Sequence, residues 1–355
     1  MYPLRTEQPY AYNQWYVAAW SHEVGRDLFE RKILGQSLVL YRTLAGKAVA
    51  LENACPHRRF ALSKGRLDGD TVECAYHGLT FDCSGKCVRV PQQDSIPASF
   101  VTRSYPVEER WQWIWVWMGD PALADTAMIP DLSWLKVGEA GWLPFVGDVE
   151  KVEARYMLLH ENLLDLSHLT FLHARNIGSR GVAQAPVEFE VKPGHLALSR
   201  NVKSDEFETQ PLGRLLGVKG LVDRRMEQQF FPPGLHVTGP AFTSAEQGGV
   251  NPGQSFGAFR VFHAITPETP HTCFYFWGGA RDFGVDDPAL SDTMRAFLRH
   301  VVAEDVEASE TIEDLLVNGG ALSPEISALS DAPGMRGRRL MQELIDAETR
   351  AKRAA

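Results

Sequence analysis

Two short stretches constrain this chain more than anything else in it. Cys55-Pro56-His57 and Cys74-Ala75-Tyr76-His77 stand sixteen residues apart, and each offers one thiol and one imidazole. Together they can give two thiolates to one iron and two imidazoles to the other iron of a [2Fe–2S] cluster. A cluster of that kind needs loops held in place before it binds, so the ligands are expected at the ends of short strands in a small rigid sheet. Pro56 stiffens the first loop, and Gly78, directly after His77, lets the backbone turn close to an inorganic core.

Two other readings compete. Two Cys and two His also suit a tetrahedral zinc ion, but such sites usually place the Cys on one element and the His on another, and here each loop carries one of each. The mixed set is that of a Rieske centre. Respiratory-type Rieske proteins, which are electron carriers, tie their two loops with a disulfide, from three residues after the first His to the residue just before the second. Phe60 and Tyr76 hold those positions, so no such disulfide can form and the carrier reading weakens.

At 355 residues, 44% of them hydrophobic, the chain can bury two substantial cores. A Rieske module would use only about the first third, so the remainder needs its own purpose. The formal charge is 36 minus 45, or −9, without a basic tract, which gives no support to nucleic-acid binding. Apolar stretches such as 15–20 are far too short to span a bilayer, and the N-terminus lacks a basic region followed by an apolar run. A soluble, cytoplasmic protein is expected. Five cysteines do not make a disulfide scaffold. Cys83 and Cys87 flank a Ser84-Gly85-Lys86 turn and could approach one another, though reduced packing thiols are the simpler reading; Cys273 lies in an aromatic strand and reads as core.

From Ser37 to Pro91, β-branched and aromatic runs alternate with turn signals at Ala45-Gly46, Asp68-Gly69-Asp70 and Ser84-Gly85, predicting short antiparallel strands. In Trp111 to Trp117, four tryptophans at period two are predicted on one face of a strand, as core or interface. The stretch from Pro130 to Pro144 breaks the pattern and marks a domain junction, giving domains of 1–135 and 136–355. Beyond it come a helical segment near 156–172, strand-like runs from about 185 to 280, and a final amphipathic helix starting near Asp292. The chain is therefore expected to be α+β, an all-β domain followed by a sheet flanked by helices.

A second metal site is predicted there. Asn162, Asp165 and His168 recur every third residue and form a slanted polar stripe in a Leu-rich helix. His173 lies five residues further on, about 140° away around an unbroken helix, so if both histidines bind one metal the helix must end or loosen between Thr170 and His173. Two such histidines alone are weak evidence. A buried carboxylate elsewhere would complete the two-His, one-carboxylate face of non-haem Fe(II) oxygenases. In the last helix Met294, Leu298, Val301, Asp305, Ala308, Ile312 and Leu315 follow 4-3-4-3 spacing, which puts Asp305 in mid-stripe, where an unpaired carboxylate would be costly. Glu304, Glu307 and Glu310 fall outside that stripe and are expected in solvent.

With these motifs in view, the chain resembles the oxygenase component of the Rieske non-haem iron oxygenases. The likeness rests on the cluster pair, on N-x2-D-x2-H-x4-H as Asn162, Asp165, His168 and His173, and on the late helical Asp305. Its length, the Trp15–Trp20 segment and Phe276-Trp277-Gly278-Gly279-Ala280-Arg281-Asp282-Phe283 resemble the vanillate O-demethylase, dicamba monooxygenase and toluenesulfonate methyl-monooxygenase branch. One departure is Arg59, where many relatives carry Gly or a small residue; it bears on the cluster's surroundings or on a partner surface.

The resemblance implies a catalytic domain of the helix-grip, START-like kind and a homotrimer. It also implies a flavin- or ferredoxin-type reductase that passes NAD(P)H electrons through the [2Fe–2S] cluster to a mononuclear Fe(II) held by His168, His173 and Asp305. Asp165 matches the carboxylate that bridges His77 of one chain to His168 of the next, and Asn162 belongs to the same catalytic motif. The implied chemistry is hydroxylation or O-demethylation of a small aromatic compound, an aromatic acid fitting best. Ring dihydroxylation, N-demethylation and bare electron transfer stand as alternatives. His263 shares a strand face with Phe259, Val261 and Ile265, and is expected either as a polar handle for substrate in an apolar pocket or as a satisfied core histidine.

Overall fold

The computed structural model describes residues 3–4, 8–91 and 93–354, with side chains to residue 351. The chain forms two compact units, one mainly Tyr10–Ile129 and the other mainly Pro130–Ile265 with His271–Ala347. Among the described residues no helix is long and apolar enough to cross a membrane.

The first unit is built from three small sheets. Trp113–Trp117 lies between Trp15–Trp20 and Val107–Arg110; Phe29–Ile33, Gln36–Arg42, Ala48–Glu52 and Ser104–Tyr105 form a four-stranded sheet; and Arg66–Asp68, Thr71–Glu73, Thr80–Phe81 and Cys87–Arg89 form another. The tryptophan segment differs from the sequence reading. Trp111 and Gln112 have φ of 59° and 68° and make the two-residue turn into the strand, so only Trp113, Trp115 and Trp117 share one face of it, and both faces are buried. Cys83 and Cys87 are free thiols, and Cys273 is buried.

The second unit is an eight-stranded sheet. Its strand order runs Leu143–Val152, Thr272–Arg281, Ser255–Thr269, Leu235–Thr238, Gly220–Phe231, His195–Asp205, Val187–Lys192, with Ala241–Gly249 paired to the third and fifth of these. The helix Pro288–Asn318 packs on strand Leu143–Val152 and on helix Tyr156–Leu164. Asp287 caps its first turn by accepting from the Ala289 amide, and Pro288 fits the first helical position. It is not the final helix, since Ala332–Ala354 follows.

The buried residues of the 288–318 helix are Met294, Leu298, Val301, Val302, Asp305, Ser309 and Glu313. The stripe thus keeps to the expected face as far as Asp305 and then drifts by steps of four, leaving Ile312 and Leu315 about half exposed. An ion pair causes the drift. Arg155, at the start of the Tyr156–Leu164 helix, grips Glu313 with Nε at 2.6 Å and a second guanidinium nitrogen at 2.9 Å, and His271 adds a contact at 2.7 Å. This clamp fixes the 288–318 helix against the segment that carries the histidines.

Both partners of the clamp are buried, at 8% and 5% side-chain exposure. Arg155→Ala is therefore expected to cost about 3–5 kcal/mol, measured by chemical denaturation at neutral pH. Burial pushes the Glu313 carboxyl up, but its hydrogen bonds to Arg155 and His271 outweigh that and hold it below the usual carboxylate range. A carboxylate depressed on folding stabilises above its unfolded pKa and loses that contribution as pH falls through the folded one. The gap between wild type and variant should narrow in acid.

Candidate functional site

The two Cys-His loops share one hydrogen-bond scheme. The Cys55 amide donates to the Phe60 carbonyl and the Arg59 amide to the Cys55 carbonyl; the Cys74 amide donates to the Leu79 carbonyl and the Gly78 amide to the Cys74 carbonyl. Gly78 and Arg59 therefore occupy equivalent left-handed positions, with φ of 72° and 59°. This is the physical sense of the departure at Arg59: the loop needs positive φ, a conformation that costs glycine little and other residues more. The Arg59 side chain is 78% exposed and lies 3.7 Å from Glu52.

Inside the loops both thiols are buried, packed with Val39, Tyr41, Val72 and Phe81. Burial, reinforced by the neighbouring Cys74 thiol, pushes Cys55 up to about 11 against the pull of the His57 and Arg58 amides. Outside, His57 and His77 are exposed with ring centroids 4.7 Å apart. Phe60 and Tyr76 pack at 5.6 Å, a ring contact between the two positions a disulfide would join. Buried thiols and outward imidazoles fit a cluster with an inner Cys iron and an outer His iron. Among the described residues a group of three donors lies within 4.8 Å of one another in the second unit.

That group is His168, His173 and Asp305. The spacing predicts Asn162, Asp165 and His168 on one helical segment near 156–172, ending or loosening between Thr170 and His173. Instead the helix ends at Leu164, and Asp165 turns extended, with φ −104° and ψ 97°. Its side chain is the reason: Oδ1 accepts from the Ser167 amide at 2.8 Å and the Ser167 hydroxyl at 2.5 Å, a local turn that competes with the helix. A short 3-10 turn, His168–Thr170, follows. The His173 carbonyl then gathers the amides of Asn176, Ile177 and Gly178, and a Cβ on Gly178 would lie 2.1 Å from the Leu169 carbonyl oxygen. This tight loop brings the two imidazoles to a centroid distance of 5.0 Å.

Asp305 Oδ1 lies 3.0 Å from His173 Nε2 and 3.5 Å from His168 Nε2. Burial acts to raise the Asp305 carboxyl, but the His173 hydrogen bond and the charges of His173, His168 and His263 hold it below the usual range. Burial lowers His168 despite Asp305; at His173 burial is outweighed by Asp305 and Glu304, and the imidazole is raised. His168 Nδ1 is held by the Asp165 carbonyl, whereas His173 Nδ1 lies 2.6 Å from Glu304. Glu304 is thus not the solvated residue expected. Two imidazoles and one buried carboxylate on one face fit a ferrous ion with open positions.

The three donors close one end of an apolar cavity of about 80 Å³ whose walls include Leu163, Leu169, Phe242, Phe259 and Val302. Arg224, Met226 and Gln228 also line it, alternate residues of one strand that a period-two reading of Gly220–Phe231 would have placed together. His263 faces the cavity, but its nitrogens are engaged, Nδ1 with the Tyr275 hydroxyl at 2.7 Å and Nε2 with Thr238 Oγ1 at 3.3 Å. The Thr238 hydroxyl donates to Gln228, whose amide nitrogen is 3.1 Å from His236, and His236 meets His160 at 2.8 Å. Behind the donors, Asn162, Asp165 and His168 line a separate groove of about 340 Å³, where the buried Asn162 Oδ1 has no hydrogen-bond partner among the described residues.

The Rieske [2Fe-2S] domain model matches residues 14–106, and the vanillate O-demethylase oxygenase C-terminal domain model matches residues 152–347. The chain belongs to the Rieske non-haem iron oxygenases. This oxygenase is 36% identical to the toluene-4-sulfonate monooxygenase system iron-sulfur subunit TsaM1 of Comamonas testosteroni over 95% of its length and 97% of the relative's. It is 34% identical to the vanillate O-demethylase oxygenase subunit of a Pseudomonas strain, with 97% of each chain covered. A crystal structure of dicamba monooxygenase with non-heme iron and dicamba superposes with a TM-score of 0.81 at 33% identity, covering 97% of this chain and 99% of that one. The oxygenase therefore works with a Rieske [2Fe–2S] cluster and non-haem iron, and as the oxygenase component of a multi-component system it requires a reductase.

Asp305→Ala should keep the Rieske absorption spectrum and lose most of the mononuclear metal. Iron analysis is expected to fall from about three irons per chain to about two; full retention would place the ligand elsewhere.

Proposed function

We propose that this oxygenase hydroxylates or O-demethylates a small aromatic acid carrying a methyl or methoxy group, using O2 and NAD(P)H electrons delivered by a flavin- or ferredoxin-type reductase. The observation that carries this reading is the opening of His168, His173 and Asp305 onto a cavity with mostly apolar walls. Cys55, Cys74, His57 and His77 hold the cluster, and His168, His173 and Asp305 hold the iron. When bound, the cluster relays single electrons and the ferrous ion activates dioxygen beside the substrate.

The protein's share is placement and dryness. Leucines 163, 166 and 169 with Phe242, Phe259 and Val302 surround the aromatic ring and exclude water. Thr238, Gln228 and Arg224 form the polar part of the wall that orients the substrate, with His263 locked beside them by Tyr275 and Thr238. Inserting one oxygen atom of O2 into a methoxy C–H bond gives a hemiacetal, which separates into a phenol and formaldehyde; insertion at a ring methyl stops at the alcohol. The second oxygen atom leaves as water with the two electrons from NAD(P)H.

The oxygenase acts as a homotrimer in which Asp165 links the cluster of one copy to the iron site of the next. Two features support this. His77 is exposed at a loop tip, and Asp165 with His168 lines an open groove in the second unit. The Asp165 carboxylate there can accept from the imidazole N–H of the neighbouring copy's cluster ligand, while the Asp165 carbonyl holds Nδ1 of His168, so one residue orients both ligands. A cytoplasmic setting suits the free thiols and the supply of reduced nicotinamide.

Asp165→Asn is expected to keep near-normal iron while single-turnover oxidation of the reduced cluster slows about tenfold or more; an unchanged rate would remove Asp165 from the electron path. For the substrate, NAD(P)H-coupled turnover with a reductase and a panel of methoxylated and methylated aromatic acids should release formaldehyde from the methoxylated members. Turnover that produces only cis-diols would replace this reading with ring dihydroxylation.

A further inference from the structure

His173 is gripped from both sides by consecutive residues of one helix. Asp305 faces Nε2 at 3.0 Å, and Glu304 faces Nδ1 at 2.6 Å. Glu304 is itself fixed: Asn176 Nδ2 donates to both of its carboxylate oxygens, at 3.0 and 3.1 Å, while the Asn176 amide donates to the His173 carbonyl at 3.0 Å. Histidine, its carboxylate partner and the amide that holds the partner thus form one closed unit. The other histidine lacks such a partner on Nδ1, which meets the neutral carbonyl of Asp165.

We propose that Glu304 is the outer carboxylate of the mononuclear site, a positioning residue that keeps the His173 proton on Nδ1, leaves Nε2 free as donor and strengthens it, with Asn176 holding Glu304 in place. The inference rests on the reading of His173 as a metal ligand. An imidazole that gives Nε2 to a metal retains one N–H, and a carboxylate is the acceptor that best orders that proton and adds negative charge to the ring. The two histidines then differ in kind: His173, backed by an anion, is the anchor, and His168, backed by a carbonyl and carried on a short turn, is the weaker ligand.

The test uses full-length protein stripped of mononuclear iron but retaining its Rieske cluster, titrated with Co(II) and followed by the cobalt absorption bands. Glu304→Ala is expected to weaken Co(II) binding about 10- to 100-fold with the cluster spectrum and unfolding midpoint little changed. Asn176→Ala, which leaves the carboxylate present but less fixed, should give a smaller loss. Glu307→Ala, an exposed carboxylate on the same helix, should bind as wild type does. If His173→Ala loses the metal while Glu304→Ala stays within twofold of wild type, the ligand reading stands and the role of Glu304 is overturned. Equal losses in Glu304→Ala and Glu307→Ala would overturn it too, by reducing the effect to helix charge. If His173→Ala binds Co(II) as tightly as wild type, the ligand reading falls and this proposal with it.

Discussion

A carboxylate placed in a protein interior has to be compensated, and Asp305, 4% exposed in the middle of a buried helical face, is the constraint around which the second unit is arranged. The compensation comes from His168 and His173, which belong to a different part of the chain. For them to reach it, the Pro288–Asn318 helix has to sit at a defined height against the Tyr156–Leu164 helix. The Arg155–Glu313 clamp, two turns of helix beyond Asp305, sets that height. One ion pair thus holds the frame, and the buried carboxylate gives the frame its chemistry.

The same economy governs the ligand loops. In each unit the cysteine and histidine donors sit past the end of a regular element, where side-chain or backbone hydrogen bonds bend the chain sharply. Asp165 ends its helix through the Ser167 contacts, and the Cys55 and Cys74 loops close on themselves through paired amide–carbonyl bonds. Rigid elements fix where the bend occurs, and the bend fixes where the donors point.

Much of this was legible in the sequence because the donors are chemically unusual residues in unusual company. Cysteine with histidine in two short loops, or an aspartate in an apolar helical stripe, stands out without any coordinates. What periodicity could not show was competition. The every-third-residue pattern of Asn162, Asp165 and His168 is compatible with a helix, and only the Ser167 contact decides that the helix stops at Leu164. Trp111 likewise continues a period-two run that the left-handed turn at 111–112 interrupts. On its own helix Glu304 lies off the buried face, whereas its partner His173 is 131 residues away. Contacts of that range leave no local trace in a single sequence.

The polar wall of the cavity has a direction. Burial pushes the Tyr275 hydroxyl well up, so it remains a donor to His263 Nδ1. With the Thr238 hydroxyl committed to Gln228, His263 must give its own Nε2–H to Thr238, and the Gln228 amide gives to His236, which in turn gives to His160. Burial holds His263 down to about 4 and His160 to about 3, so these rings carry one proton each and have none to spare. Six side chains therefore behave as a single polarised object: a guest that reverses one hydrogen bond must reverse the whole row, and the wall can discriminate between hydrogen-bond patterns while offering no acid to the chemistry beside it.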